Sequence, residues 1–332
     1  PTVNSYRLPG TTVDTQKRLE EGVGFGKEEP LGTHWVGGSE LKNIYGAVGM
    51  DLEAQYSTLR AKKSWFLFDE EIVCLGSDIT SSDNRNIETV IENRKLNEKC
   101  DNTLTVNGKV QNLRMGFSEI LDNVEYIHLQ GNVQGSDIAY YLPKAVSVEA
   151  LIEKRIDCWR SVNYTSGSDK EIERNYLNVN PNVEKYEYVI VPNKTPEQIE
   201  EYAKRCKIEV LENSSDAHAA RHKGLNITGV NFWRDKVKTI DFITCNKQAS
   251  VILQVIDDKL EISLSDPTQI NDEGILVEIN KPAIEVTSSG KEVQVIQLKP
   301  TIKLKVYTKN SKGQSLKAQF VLELGDINTV CK

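Results

Sequence analysis

Apolar residues in this 332-residue chain never run unbroken for anything near the roughly 20 positions a membrane-crossing helix needs, so no membrane partner is expected. Lysine and arginine never cluster, and the net charge is −7. That excludes the basic patch on which nucleic-acid binding depends. No Cys-x-x-Cys spacing joins the six cysteines at 74, 100, 158, 206, 245 and 331, which argues against zinc, iron–sulfur and thioredoxin-type centres. Free thiols are the expectation, and no cofactor or metal is expected. Pro1 is followed by no basic and apolar leader, so any signal peptide would lie outside this sequence. Low-complexity tracts and solenoid-like repeats are missing as well.

What is present reads as β-structure. With 27% charged and 39% apolar residues the composition is that of a soluble globular protein, and the length favours two domains over one. The stretch Ala61 to Ser77 holds two apolar runs, Trp65 to Phe68 and Ile72 to Leu75, around Asp69-Glu70-Glu71. It predicts two strands joined by a tight acidic turn, with rings too dense to leave in water. Before it, residues 1–60 are rich in turn formers, among them Pro9-Gly10, Gly22, Gly24, Gly26, Pro30-Leu31-Gly32 and Gly37-Gly38. These predict loops lying over a scaffold, the usual place for binding residues.

Further along, Asn107-Gly108 between alternating residues predicts a type I′ hairpin. Tyr126 to Leu129, Ile138 to Leu142, Val146 to Lys154 and Tyr186 to Val191 follow as short strands. Thr195, Pro196 and Gln198 spell a capping box and a helix start, predicting one short connecting helix. Beyond Ile208 three hairpins are predicted: Val251 to Leu264 turning at Asp257-Asp258, Ile284 to Leu298 turning at Ser289-Gly290, and Ile302 to Leu324 turning near Lys312-Gly313. The expectation is an all-β chain with a large antiparallel multi-sheet domain over 1–207, then a smaller C-terminal β-sandwich over 208–332.

Lys62-Lys63-Ser64-Trp65-Phe66, Phe68-Asp69-Glu70-Glu71-Ile72-Val73 and Leu75-Gly76-Ser77 closely resemble the central β-region of the family 8 polysaccharide lyases, the hyaluronate, chondroitin AC and xanthan lyases. The resemblance extends, in order, through Tyr6-Arg7-Leu8-Pro9-Gly10-Thr11-Thr12, Gly37-Gly38, Ile91-Glu92-Asn93-Arg94 and Arg174-Asn175-Tyr176-Leu177. It continues through Tyr188-Val189-Ile190-Val191-Pro192, Leu211-Glu212-Asn213, Asn231-Phe232-Trp233 and Ser265-Asp266-Pro267-Thr268. It implies a super-sandwich followed by a C-terminal sandwich, in a secreted, bacterial-type enzyme acting on acidic polysaccharide. In that family β-elimination is carried out by an Asn that neutralises the uronate carboxylate and by His and Tyr acting on protons. Those residues, and an Arg, lie on an α/α toroid preceding the β-region, so the resemblance implies no catalytic residue here. The toroid becomes the expected intramolecular partner, and this chain alone is expected to be inactive.

Three residues are the candidate substrate contacts. Trp35 offers an aromatic face to a sugar ring or else seals its loop against the sheet. Arg7 and Arg174 offer guanidinium forks to a carboxylate or pyruvate group, with an internal salt bridge as the competing role. His218 and His222, four apart, would share a helical face, but no third ligand stands at a recognised metal spacing, so a structural role is favoured. His128 reads as a strand residue and His34 as part of the N-terminal loops. The competing function, from a different class, is a stand-alone carbohydrate-binding or structural β-module.

Overall fold

The computed structural model describes residues 1–14, 16, 32–181 and 184–323. The glycines at 22, 24 and 26, Pro30-Leu31 and Cys331 lie outside the described residues. Strands paired antiparallel make up nearly all regular structure, with helices only at Trp159–Val162 and Pro196–Lys204 among the described residues. Two compact units form: Pro1–Pro30, Ala54–Arg60 and Ile79–Cys206 compose one, and Leu31–Glu53, Ala61–Asp78 and Lys207–Lys332 the other.

In the first unit the strand order is Tyr186–Pro192, Ile138–Asp157, Ser118–Leu129, Leu104–Val106, Lys109–Val110. Ile172–Pro181 also pairs with Ile138–Asp157, and carries Glu92–Lys95 on its other side. The expected separate strands around Pro143 are one strand of 20 residues, Ile138–Asp157. Pro143 is tolerated because pairing to Tyr186–Pro192 ends at Tyr141 and pairing to Ile172–Pro181 starts at Val148. No ladder needs its missing N–H. Asn107 and Gly108 have φ of 47° and 75°, the left-handed pair a type I′ turn demands. Thr195 accepts from the Gln198 backbone while the Gln198 side chain accepts from Thr195 N, and Ile199 is the buried residue of that helix.

In the second unit, Arg60–Leu67 and Ile72–Thr80 flank the acidic turn, closed by Phe68 N–H donating to Glu71 O at 3.0 Å. Ala61 to Ser64 and Phe66 are all buried, so this strand is covered on both faces. A seven-stranded sheet, running from Ile208–Asn213 to Ala283–Ser289, and a five-stranded sheet, from Lys238–Ile240 to Val293–Gln297, face each other across an apolar core. Phe232, Val251, Leu253 and Phe320 enter that core from the first, and Ile243, Val277, Ile302 and Leu304 from the second.

The Val251–Leu264 hairpin is present, turning at Asp257 with φ 53°. The other two predicted hairpins are corners instead. Ala283–Ser289 pairs with Leu316–Leu322 in the seven-stranded sheet, whereas Val293–Gln297 pairs with Ile302–Val306 in the five-stranded one. Alternation records that a strand has one buried face, not which sheet it joins, and a sandwich corner uses the same Ser, Gly and Lys residues as a hairpin turn.

Candidate functional site

A polar cleft of about 490 Å³ opens where Glu92–Lys95 and Ile172–Pro181 end together. Their antiparallel register sets Lys95 opposite Tyr176 and Asn93 opposite Asn178, and Leu96 N–H prolongs it by donating to Asn175 O at 2.8 Å. Beyond Leu96 the chain leaves the sheet, and its backbone groups are answered by asparagines. Asn102 Oδ1 accepts from Asn97 N–H at 2.8 Å, and Asn102 Nδ2 donates to Gln130 O and Asn132 Oδ1. Asn132 Nδ2 donates to Lys95 O at 2.9 Å. From the facing strand, Asn175 Nδ2 donates to the carbonyls of Asn97 and Glu98, both at 3.2 Å. Side-chain amides thus do for this loop what a ladder does for a strand, and they fix the cleft's walls.

Its charge is set by four groups. Glu173 carries its own partner, Lys154 Nζ at 2.6 Å. Arg174, half-buried, donates Nη1 to Glu173 O at 2.6 Å. Among the described residues neither Arg174 nor the exposed Lys95 is ion-paired with a carboxylate, and Glu98 is ion-paired with no cation.

Of the residues singled out from sequence, only Arg174 lines this cleft. Arg7 is held elsewhere in the same unit by a two-pronged bond to Glu88, Nε and Nη2 each at 2.7 Å. That hydrogen-bonded carboxylate, with Glu153 and Glu149 beyond, raises the guanidinium's pKa. Both prongs of the fork are spent. In the other unit Trp35 is 2% exposed, donates Nε1–H to Phe232 O at 3.0 Å and lies against Trp233 with ring centres 4.4 Å apart. Its ring faces are covered by protein, the sealing role rather than the stacking one. Nor do Gly37 and Gly38 form a loop: they belong to strand Val36–Leu41, and a Cβ at Gly38 would fall 2.2 Å from Ala47 O.

The histidines do not assemble a site. His218 and His222 sit on strand Ala217–His222 rather than a helix, which spaces them roughly 13 Å apart along the backbone. His218 is fully buried between Ser77 Oγ at 2.8 Å and Ser64 Oγ at 2.9 Å. His222 Nε2 meets Glu71 Oε1 at 3.0 Å while its Nδ1 accepts from Leu225 N–H. A nitrogen that accepts carries no proton, so Nε2 holds it. His128 is a buried strand residue bonded to Asp137 at 3.1 Å. No group of three or more His, Cys, Asp or Glu able to hold a metal occurs among the described residues, whose five cysteines are free thiols.

Sequence reasoning missed Lys95 and the asparagines. The signal was available only in part: Ile91 to Arg94 and Arg174 to Leu177 stood out separately, and it is the strand pairing that lays one beside the other.

The family model for the polysaccharide lyase family 8 super-sandwich domain matches residues 1–203, and that for the family 8 C-terminal beta-sandwich domain matches 209–275. Over 331 residues the chain is 41% identical to a xanthan lyase of Bacillus sp. (strain GL1), covering 97% of this chain and 35% of that protein. Against a hyaluronate lyase of Thermasporomyces composti the identity is 33%, over 97% of this chain and 41% of the other. Among solved structures, Paenibacillus xanthan lyase superposes with a TM-score of 0.92 at 41% identity, over 97% of this chain and 31% of its own. The Streptomyces coelicolor chondroitin AC lyase in complex with chondroitin sulphate gives 0.79 at 26% identity. The chain therefore spans between 31% and 41% of the length of these relatives.

Proposed function

Because the chain belongs to polysaccharide lyase family 8, matching its two β-domain models in order, we propose that it is the β-sheet portion of a secreted lyase. That enzyme would cleave a uronate-containing polysaccharide of the hyaluronan, chondroitin or xanthan type by β-elimination. In this reading the chain divides into a central sandwich over 1–207 and a C-terminal one over 208–332, a division supported by family models that match 1–203 and 209–275. Its task is mechanical and electrostatic. It backs the substrate cleft and lines one wall, while charge neutralisation at the uronate and both proton transfers are supplied by a helical toroid.

The observation that carries this reading is the match to relatives of which the chain spans only 35% and 41%. The side chains agree with it. Elimination needs a base and an acid held within hydrogen-bond reach of the same sugar. His128, His218 and His222 are buried or nearly so and each is occupied by a neighbour, which leaves those three no sugar to reach, whereas the fourth, His34, is exposed.

The test is the purified chain incubated with hyaluronan, chondroitin and xanthan, with the unsaturated product followed by its absorbance. No product is expected from the chain alone, and product is expected once the helical portion precedes it on one polypeptide. Elimination by the chain alone would overturn the division of labour; none by the extended protein on any of the three polymers would overturn the lyase reading.

A further inference from the structure

The cations around the cleft divide into two kinds. Three on the adjoining strands are answered by a carboxylate: Arg94 by Glu92 at 3.1 Å, Lys154 by Glu173 at 2.6 Å and Arg155 by Glu153 at 2.6 Å. Lys95 and Arg174, like Lys99 close to them in sequence, have no carboxylate partner among the described residues. In a chain with 48 acidic against 41 basic residues, carboxylates are the surplus group. With Glu173 neutralised by Lys154, two unanswered cations stand against the single unanswered carboxylate of Glu98, which leaves the cleft a small positive excess in an acidic molecule, as an anionic ligand needs in order to approach it.

From this we infer that the cleft binds a uronate-bearing stretch of polysaccharide, the sugar carboxylate lying between Lys95 Nζ and the Arg174 guanidinium. Its role is to hold the polymer, not to break it. The rest of the lining suits a sugar. Asn175 has spent Nδ2 on backbone carbonyls and keeps Oδ1 to accept from a hydroxyl; Glu98 accepts likewise; Leu96 offers an apolar patch to ring C–H groups. A doubly charged phosphate or sulfate fits worse, because Glu98 and Glu173 repel it while offering its oxygens no hydrogen. A cleft of about 490 Å³ is within the size range of small-ligand sites. By contrast the second cleft, about 260 Å³ beside Asp235, Asn271 and Asp272 in the other unit, has its lysine, Lys247, already placed between Asp235 and Glu273. It offers no unanswered cation.

The inference rests on the lyase reading for the polymer it names, and on the cleft's own charges for the site. Calorimetric titration of the 332-residue chain uses hyaluronan, unsulfated chondroitin and xanthan oligosaccharides, each beside its carboxyl-reduced counterpart. At least one acidic oligosaccharide is expected to bind, and to lose roughly tenfold in affinity on carboxyl reduction, the loss of a hydrogen-bonded charge. Lys95→Gln and Arg174→Gln are each expected to cost roughly tenfold, with Arg174→Lys intermediate. Lys95 is exposed and Arg174 half-buried, neither in an ion pair among the described residues, so unchanged melting curves will show that the variants fold. Equal binding of acidic and reduced sugars, full affinity in the double variant, or no binding by the parent chain at millimolar sugar would each overturn the inference. Failure is separable from failure of the lyase reading: the extended protein could still form unsaturated product with the double substitution in place, and then only the holding site falls.

Discussion

Lys63 is 2% exposed in the centre of strand Arg60–Leu67, its Nζ 5.8 Å from the middle of the Trp65 ring. Burial pushes its pKa down to about 8, the Cys74 thiol on the next strand pulling weakly the other way. The sign of the consequence follows from counting protons. Between pH 8 and the unfolded value of 10.5 the unfolded chain holds a proton that the native chain has released, so stability rises with pH across that window. Below pH 8 both states are protonated and the native fold carries the full charging cost, roughly 3 kcal/mol at about 1.4 kcal/mol per pH unit. Lys63→Met is expected to raise stability at pH 7 by up to that amount and to flatten the rise between pH 8 and 10.5, read from urea unfolding at a series of pH values. Lys63, between Lys62 and Ser64, falls just ahead of the predicted run Trp65 to Phe68, and its cost was not legible, since sequence does not say that both faces of the strand are covered. The same gap explains Trp35. A Trp beside two glycines has the sequence of a binding loop, and only the 2.2 Å that a Cβ at Gly38 would leave to Ala47 O shows a tightly packed strand instead.

At the scale of an element, what sequence announces best is what is settled within a few residues. The Asn107-Gly108 turn and the Thr195 capping box are local: each needs only its own side chains and φ values. Thr195→Ala removes the hydroxyl that accepts from Gln198 N–H at 3.3 Å and is expected to cost about 1 kcal/mol, measured as a lowered urea midpoint with an unchanged slope. A slope change would mean instead that the substitution had altered the surface exposed on unfolding, and an unchanged midpoint that the helix was already frayed in the parent chain. Where the outcome depends on distant partners, local signals mislead. Ser289-Gly290 looked like a hairpin turn, yet Gly290 N–H donates to Lys317 O at 3.0 Å and the chain crosses to the opposite sheet. The cleft belongs to this second kind. Arg174 was visible as a candidate cation, whereas Lys95 becomes its neighbour only through the pairing of Glu92–Lys95 with Ile172–Pro181, and the amides that shape the walls come from positions as far apart as 97, 132 and 175.

For the whole molecule, the boundary suggested near residue 207 and the limits of a foldable piece are different questions. The second compact unit draws on Leu31–Glu53 and Ala61–Asp78 as well as Lys207–Lys332, and the earlier segments supply groups that the later one buries. Phe66 and Ala47 fill the space above Gly229, where a Cβ would meet the Phe66 ring at 2.7 Å. Ser64 and Ser77 hold His218, Ser39 meets Ser250 Oγ at 3.0 Å, Ser265 Oγ donates to Gly38 O at 2.8 Å, and Trp35 lies on Trp233. A chain of 208–332 alone would lose all of these. His218, Asn231, Ser250 and Ser265, each now 0% exposed, would then face either water, with the apolar surface around them, or burial without partners, at about 1–3 kcal/mol for each unsatisfied group. Several such losses rival the whole stability of a domain this size. The expectation is that 208–332, produced alone, shows strand content in the far ultraviolet but neither a near-ultraviolet tryptophan signal nor a cooperative melting transition, whereas a chain that also carries 31–78 shows both. A sharp transition and a dispersed amide spectrum from 208–332 alone would mean that the C-terminal sandwich owes its packing to its own two sheets, with the earlier strands only resting on it.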